Sequence, residues 1–388
     1  VPALVLGRGV TALGTIRSLG RHRVPVFSLS RDDPMLRWSK YYETLPGSPS
    51  CGAGADDLSA ALQTLPLDRA VLFPCSDHLS MAAAELPEDL ARRFPFVHPD
   101  RKTLLLLTDK ENLAGALAEA GVPHPTTIPL DSVEDLEAIP TALLRGGFLK
   151  PTDSQSFFRR FGQKAFAIES LEQGIARLQE ALGVGLGMIF QEYIPGPPSC
   201  HYFVDGLVRR DGSFPVFFAR RRIRMYPPDF GNSSYMVSIP PTEVESAIES
   251  LERLLGTEGY RGIFSAEFKF DPRDRLFKLL EVNTRPWWYI GFADSCGAPI
   301  AFMAYEDALE RPLTPLGSYE VGVPMVYPYY DFFACRTMLR ENRLSLWSWA
   351  KSWIRARRAV FDWRDPLPAV ATGFGTLRRF AEHHMGTR

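Results

Sequence analysis

Phe264-Ser265-Ala266-Glu267-Phe268-Lys269-Phe270-Asp271 and Leu279-Leu280-Glu281-Val282-Asn283-Thr284-Arg285 are two apolar runs that carry two carboxylates, an amide and a guanidinium. Their phenylalanine, leucine and valine content predicts two adjacent β-strands. Alternation sends every second side chain to one face, so Glu281, Asn283 and Arg285 are expected to point the same way. Both runs are too apolar for an exposed sheet, so the acids are expected to be at least half buried, where a carboxylate needs a partner or a metal. Carboxylate and amide oxygens are hard ligands that suit Mg²⁺ shared with phosphate oxygens. An arginine beside them suits a phosphate or a developing oxyanion. The alternative is a solvated hairpin with Arg285 as a surface salt-bridge partner, and the apolar company of the acids weighs against it.

Outward from these runs, 388 residues exceed one ordinary core, and about two to four subdomains are expected. Hydrophobic residues at 45% and charged residues at 23% describe a folded chain, and a net charge of −1 gives no electrostatic case for nucleic acid. Cys51, Cys75, Cys200, Cys296 and Cys335 are scattered without CxxC pairs. That pattern opposes a zinc site or disulfide framework and fits a reducing cytoplasm. No uninterrupted apolar stretch approaches a membrane span, and Val1-Pro2-Ala3-Leu4-Val5-Leu6 enters a strand with no cationic leader, so a cytoplasmic location is expected.

Residues 1–108 alternate short β-like and helical segments, which predicts a parallel sheet with helices on its faces. Gly7, Gly9 and Gly14 follow the first strand as GxGxxxxG, with Asp32 or Asp33 at the distance of a ribose ligand. The spacing departs from the dinucleotide fingerprint GxGxxG, so turn packing is the preferred reading and NAD binding is disfavoured. Asp109-Lys110 opens a helix that stops at Gly121-Val122-Pro123, and Phe148-Leu149-Lys150-Pro151 reads as a strand delivering a lysine. The polar, basic stretch 152–164, ending at Lys164, reads as a mobile hairpin loop. Met188 to Ile194 reads as a strand, and Arg220-Arg221-Arg222-Ile223-Arg224 lies within a β-rich region with Arg220, Arg222 and Arg224 on one face.

The order of these signals resembles the ATP-grasp superfamily, in particular its carboxylate–amine ligase branch, over roughly residues 1–315. The resemblance implies an α/β fold, α+β in its C-terminal half. It divides into a pre-ATP-grasp domain (1–108), a linker helix and small lid subdomain (109–194), a large subdomain with the metal site (195–315) and a helical extension (316–388). It implies ATP and two Mg²⁺ ions, with Mn²⁺ as a substitute, and small-molecule carboxylate and amine substrates joined through an acyl phosphate. Residue by residue, Lys110, Lys150 and Lys164 would meet the nucleotide's phosphates. Gln191 or Glu192, with the backbone at Tyr193 and Ile194, would read adenine. Ser199 stands where the family has a ribose-binding acid. Glu267, Glu281 and Asn283 match the metal ligands, Arg285 the catalytic arginine, and Arg222 is favoured for the γ-phosphate or acyl phosphate. For the arginine run, an exposed cationic edge strand is the alternative.

Two departures from the family pattern stand out: the stretch after Lys150 has a single glycine, and Ser199 replaces the acid. Trp287-Trp288-Tyr289 and Gly231-Asn232-Ser233-Ser234 are candidates for substrate walls, or equally for core and turn. An amino acid or peptide substrate is the leading expectation. A carbamoyl-phosphate-synthase-like or carboxylase-like enzyme activating bicarbonate is the alternative, and a non-catalytic nucleotide-binding protein is another. A homodimer is compatible with the reading. Residues 331–388 hold 11 Lys and Arg against 5 Asp and Glu, with Trp347, Trp349, Trp353 and Trp363 interleaved. Such helices can lie on an anionic membrane, but cover for the domain's apolar surface is preferred.

Overall fold

The computed structural model describes residues 1–30, 32–45, 55–144, 146–227 and 231–373. Cys51 and residues 374–388 of the basic C-terminal region lie outside the described residues. Three sheets form among the described residues, and each follows from where its apolar side chains fall. In the first, β1 (Ala3–Leu6) is apolar throughout because both faces are covered: Ala3 and Val5 enter one core, Leu4 and Leu6 another. With β2 (Val26–Ser28), β3 (Tyr42–Glu43) and β4 (Val71–Pro74) it gives a parallel sheet of order β3-β2-β1-β4.

Gly7 and Gly9 turn the chain at φ of 124° and 70° into the helix Gly9–Arg21. A Cβ on Gly7 would stand 2.9 Å from the Cβ of Cys75. The Asp33 carboxylate accepts from the Gly9 N–H (2.7 Å) and the Met35 N–H (2.8 Å). The glycines thus serve the turn, and Asp33 braces it.

The second sheet contains β5 (Thr127–Leu130), β6 (Gly147–Pro151), β7 (Phe166–Ala167) and β8 (Met188–Glu192), in the antiparallel order β5-β8-β6-β7. Here the expected mobile loop at 152–164 is corrected: Ser154–Phe161 is a helix. Asp153 accepts from the Ser156 N–H at 3.1 Å, an N-terminal cap. Phe157 and Phe161, one turn apart, pack on Phe166 with ring centroids 4.8 and 5.0 Å away. Polar composition hid a helix whose apolar stripe is two phenylalanines wide.

The third sheet is formed by β9 (His201–Val208), β10 (Val216–Tyr226), β11 (Asn232–Ile239), β12 (Gly262–Asp271), β13 (Leu276–Asn283), β14 (Pro324–Val326) and β15 (Arg357–Arg358). Its order is β13-β12-β9-β10-β11-β14-β15. On one face Tyr202, Val204 and Ala219 pack against Leu251 and Leu254 of the helix Glu245–Thr257. On the other, Phe203, Leu207 and Phe218 pack against Phe292 and Ile300, which begin the approach to the N-terminal domain. There Gly14 closes on Gly291, so that a Cβ on Gly14 would lie 3.1 Å from the Gly291 nitrogen.

The region 316–388, expected as a helical extension, does hold the helices Pro328–Arg340 and Leu346–Ile354. It also supplies β14 and β15, because Met325 and Val326 are buried against Met236 and Tyr235 of β11. It is therefore knitted into the large sheet. No described helix is long and apolar enough to cross a membrane.

Candidate active site

A cleft of about 1430 Å³ runs between the three sheets. It exceeds the roughly 300–1,000 Å³ of a site for one small ligand, leaving room for a nucleotide and a second substrate. Antiparallel pairing of β12 with β13 sets Glu267 opposite Glu281 and Ser265 opposite Asn283. Two carboxylates directly opposite each other repel unless a cation intervenes.

Glu267 is met on one oxygen: His201 Nδ1 lies 2.7 Å and Arg222 Nη2 3.0 Å from Oε1. Burial alone would raise this carboxyl, but Arg222 and the His201 hydrogen bond hold it well below the usual carboxylate range. Burial in turn pushes the His201 imidazole down to about 4, so it is neutral at pH 7. Glu281 and Asn283 line the same cleft, and neither side chain makes a hydrogen bond or ion pair among the described residues. The expectation that both acids are half buried fails at Glu281, which is exposed, because β13 is an edge strand with its cleft side open.

Three lysines converge on the cleft from the helix Lys110–Glu119 and the second sheet's region. Lys110 follows its N-cap Asp109 and reaches to β6, donating Nζ to the carbonyls of Pro151 and Thr152 (3.1 Å to Thr152). Burial and the nearby Lys150 charge pull Lys110 down to about 8. Lys150 is the half-buried position of an otherwise buried strand. Lys164 donates to Asn232 Oδ1 at 3.0 Å, and burial lowers its pKa against the pull of Glu267 and Glu281. A lysine in such a place is costly without an anion to face it.

The arginine run is corrected in its alternative reading: β10 lies between β9 and β11, so it is no exposed edge. Arg220 is buried on Asp205 (2.6 Å) with Ser265 nearby, and Arg224 on Asp331 (2.8 Å). Arg222, between them, reaches Glu267 and the Ser233 hydroxyl (2.8 Å) and lines the cleft. Ser233 and Asn232 thus belong to a strand rather than to a turn.

Arg285 lies beyond the end of β13, so strand alternation does not place it. Instead Asp77, at the start of a helix in the N-terminal domain, accepts from Nε (2.7 Å) and Nη2 (2.9 Å) and holds it at the cleft. Trp287 and Tyr289 are buried cleft walls with Trp288 partly exposed, and the buried Trp287 Nε1–H has no partner among the described residues.

At the hinge, Gln191 is buried and donates to Thr127 Oγ1 (3.2 Å). Glu192 lines the cleft but already accepts from the Thr126 N–H and from Arg273. The Tyr193 N–H donates to the Gly146 carbonyl (3.2 Å), and its ring carries the Lys269 ammonium at 4.3 Å, while Ile194 is buried. Ser199 is not a lining residue: it sits in a short helical turn whose carbonyl accepts from Arg221 Nε (2.6 Å). Burial pushes the cleft-lining Cys75 thiol up to about 12, which removes it as a nucleophile.

Sequence reasoning missed His201 and Asp77. Nothing local marks either one: His201 meets Glu267 across strands, and Asp77 meets Arg285 from 208 positions away.

The solved structure of biotin carboxylase from Campylobacter jejuni superposes on 83% of this chain and 74% of its own, with a TM-score of 0.61 and 16% identity. N5-carboxyaminoimidazole ribonucleotide synthetase from Thermus thermophilus covers 84% of this chain and 82% of its own, at 0.61 and 17%. Phosphoribosylamine–glycine ligase from Thermotoga maritima covers 84% and 78%, at 0.60 and 14%. The chain shares the fold of these structures, in keeping with the ATP-grasp fold expected from the order of its motifs. Among curated proteins, a D-aspartate ligase of Enterococcus faecium is 24% identical over 246 residues, which is 61% of this chain. The chain spans 58% of that relative's length. No protein-family model matches the chain. Lys110, Lys150 and Lys164 line the same cleft as the β12–β13 acids Glu267 and Glu281.

Proposed function

We propose that this chain is an ATP-dependent carboxylate–amine ligase that acts through an acyl phosphate on an amino acid or peptide. One observation carries the reading: Lys110, Lys150, Lys164 and Arg222 converge on the same cleft as the uncommitted pair Glu281 and Asn283. Cations gather triphosphate; free hard oxygens gather a divalent ion with it.

No cluster of three His, Cys, Asp or Glu side chains among the described residues is placed to hold a metal alone. Mg²⁺ fits that pattern, because it is commonly held by one or two carboxylates plus substrate phosphates. Glu267, Glu281 and Asn283 would hold it, and the mutual repulsion of the two opposed acids supports a cation there. Mn²⁺ would suit the same oxygens. Bound Mg²⁺ would neutralise charge on the nucleotide's phosphate oxygens.

In the reaction, a substrate carboxylate oxygen attacks the γ-phosphorus of ATP, forming the acyl phosphate and releasing ADP. The amine then attacks the acyl carbon, the C–O bond to phosphate breaks, and the amine's proton leaves with the departing phosphate or to solvent. Lys110, Lys150 and Lys164 bind the nucleotide, Arg222 holds the transferred phosphoryl group, and Arg285 faces the tetrahedral oxyanion. Adenine would lie along Gln191 to Ile194. The lid excludes water that would otherwise hydrolyse the intermediate. Free thiols at Cys75, Cys200, Cys296 and Cys335 suit a reducing compartment such as the cytoplasm.

A second reading, activation of bicarbonate, is favoured by the carboxylase and carboxyaminoimidazole synthetase among the structural neighbours. A phosphate-release screen with ATP and Mg²⁺, crossing pools of carboxylates with amines and including bicarbonate alone, separates the two. The ligase reading expects ADP, phosphate and a product lighter than its two substrates by one water, read by mass spectrometry. Turnover with bicarbonate and none with any organic acid would replace it by the second.

A further inference from the structure

We propose that the outer face of the helix Leu346–Ile354 docks on an anionic lipid bilayer. The inference does not depend on the ligase reading. It begins with a buried acid. Asp331 is fully buried and accepts from Trp349 Nε1 (2.9 Å), Trp353 Nε1 (2.7 Å) and Arg224 (2.8 Å). Two indole N–H groups bound to one carboxylate fix the rotation of the helix about its axis, with Trp349 and Trp353 turned inward.

At 3.6 residues per turn, the side turned away must then carry Trp347, Lys351 and Ile354, with Ala350 on its flank, while Leu346 starts the helix on the side of Trp349 and Trp353. These outward residues are all exposed, Trp347 by 78% and Ile354 by 77%, and Leu346 at the helix start is exposed by 63%. Singly exposed apolar residues are ordinary, but two large ones two turns apart on the outer side of a pinned nine-residue helix, with exposed Leu346 at its first residue, form a patch. The expectation that the C-terminal tryptophans cover the domain's own surface thus describes Trp349 and Trp353 but not Trp347 or Trp363.

Charge names the occupant. From Arg336 to Arg358 the chain holds seven Lys and Arg and one acid, Glu341, although the whole chain carries a net charge of −1. Lys351 and Arg355 are exposed on this helix and make no ion pair among the described residues. Long basic side chains beside Trp, Leu and Ile give an interfacial helix its two signals, apolar insertion and attraction to acidic headgroups. An acidic protein would match the charges but not an apolar crest, and a second copy of this chain would bring its own cations against them. A helix about 14 Å long lies in the interface and does not span it.

The test is co-sedimentation of the full chain with vesicles of phosphatidylcholine alone and of equal parts phosphatidylcholine and phosphatidylglycerol. Sedimentation with the anionic vesicles, weak on the neutral ones and released by high salt, is expected. The double substitution Trp347→Ser and Ile354→Ser should lower partition at least about tenfold through lost apolar insertion. Lys351→Gln with Arg355→Gln should lower it about tenfold through lost headgroup attraction. All these positions are exposed, so an unchanged circular dichroism spectrum is expected for both variants. Absence of binding to either vesicle, or equal partition of native chain and both variants, overturns the proposal. So does a concentration-dependent dimer that the apolar variant dissolves while vesicles bind nothing, which would make the face a subunit interface.

Discussion

At Lys110, burial and the neighbouring Lys150 bring the ammonium to about 8, below its ordinary 10.5. Bound phosphate favours the charged form, so nucleotide binding draws a proton onto Lys110 whenever the free chain has lost it. ADP affinity should therefore be level below pH 8 and fall by up to about tenfold per unit above it. Lys110→Arg, always charged, should abolish the fall, and calorimetric titration across that range reads both. The sign for the unliganded chain is opposite: between about 8 and 10.5 the unfolded state binds more protons, so stability rises with pH. Arg285 is argued in the same way, from charge at a fixed place. Its oxyanion role expects Arg285→Ala to lower kcat about 10²–10³-fold, measured by steady-state phosphate release with ATP saturating. An equal change confined to the KM for ATP would assign it to nucleotide binding instead. Glu267, Glu281 and Asn283 were legible at strand spacing, and Arg285 only as a residue type beside them. The partners that hold Glu267 and Arg285, His201 and Asp77, were not.

Among the elements, the helix Ser154–Phe161 shows how composition misleads. Ser, Gln and Arg dominate the stretch, yet Phe157 is completely buried and completes an aromatic triad with Phe161 and Phe166. Two apolar side chains one turn apart are too weak a periodicity to read locally. Their value comes from β7, which returns later in the chain to cover them. Phe157→Ala should cost the lid about 3–5 kcal/mol, since the cavity is walled by rigid rings. Hydrogen exchange should then quicken across 154–167 while β12 and β13 keep their protection; unchanged exchange in the helix would show that it does not rely on Phe157. β10 illustrates the reverse case. Alternation of Arg220, Arg222 and Arg224 was legible, but only the tertiary structure reveals that Arg220 and Arg224 are taken up by Asp205 and Asp331 while Arg222 meets Glu267 at the cleft.

Over the whole molecule, the last described segment clips onto the first domain. Arg17, buried in the helix Gly9–Arg21, donates Nε to Asp365 (2.8 Å) and its other nitrogens to the carbonyls of Val360 and Asp365. Ser39 and the Lys40 N–H also meet the Asp365 carboxylate, and Arg21 bridges Asp294 and Asp362. Removing one partner of a buried pair leaves the other charge stranded, at about 3–5 kcal/mol. Asp365→Ala should therefore move the urea midpoint well down, and Arg17→Met with Asp365→Leu should recover most of the loss. If Asp365→Ala leaves the midpoint in place, the clip contributes nothing to stability. The same domain supplies Asp77 to Arg285, so loosening the clip should also lower turnover.

Strand alternation, helix stops and the spacing of lysines and acids are short-range quantities, and they were enough to determine the α/β class and to put Glu267, Glu281 and Asn283 on two strands that pair. Everything that required two distant segments to meet was decided by tertiary structure alone. That includes the Asp77 clasp on Arg285, the His201 contact on Glu267, the selection of Arg222, and the rotation of the Trp-rich helix on Asp331. Periodicity records which face of an element is buried. It carries no record of what is buried against it, because that depends on how separately folded sheets pack.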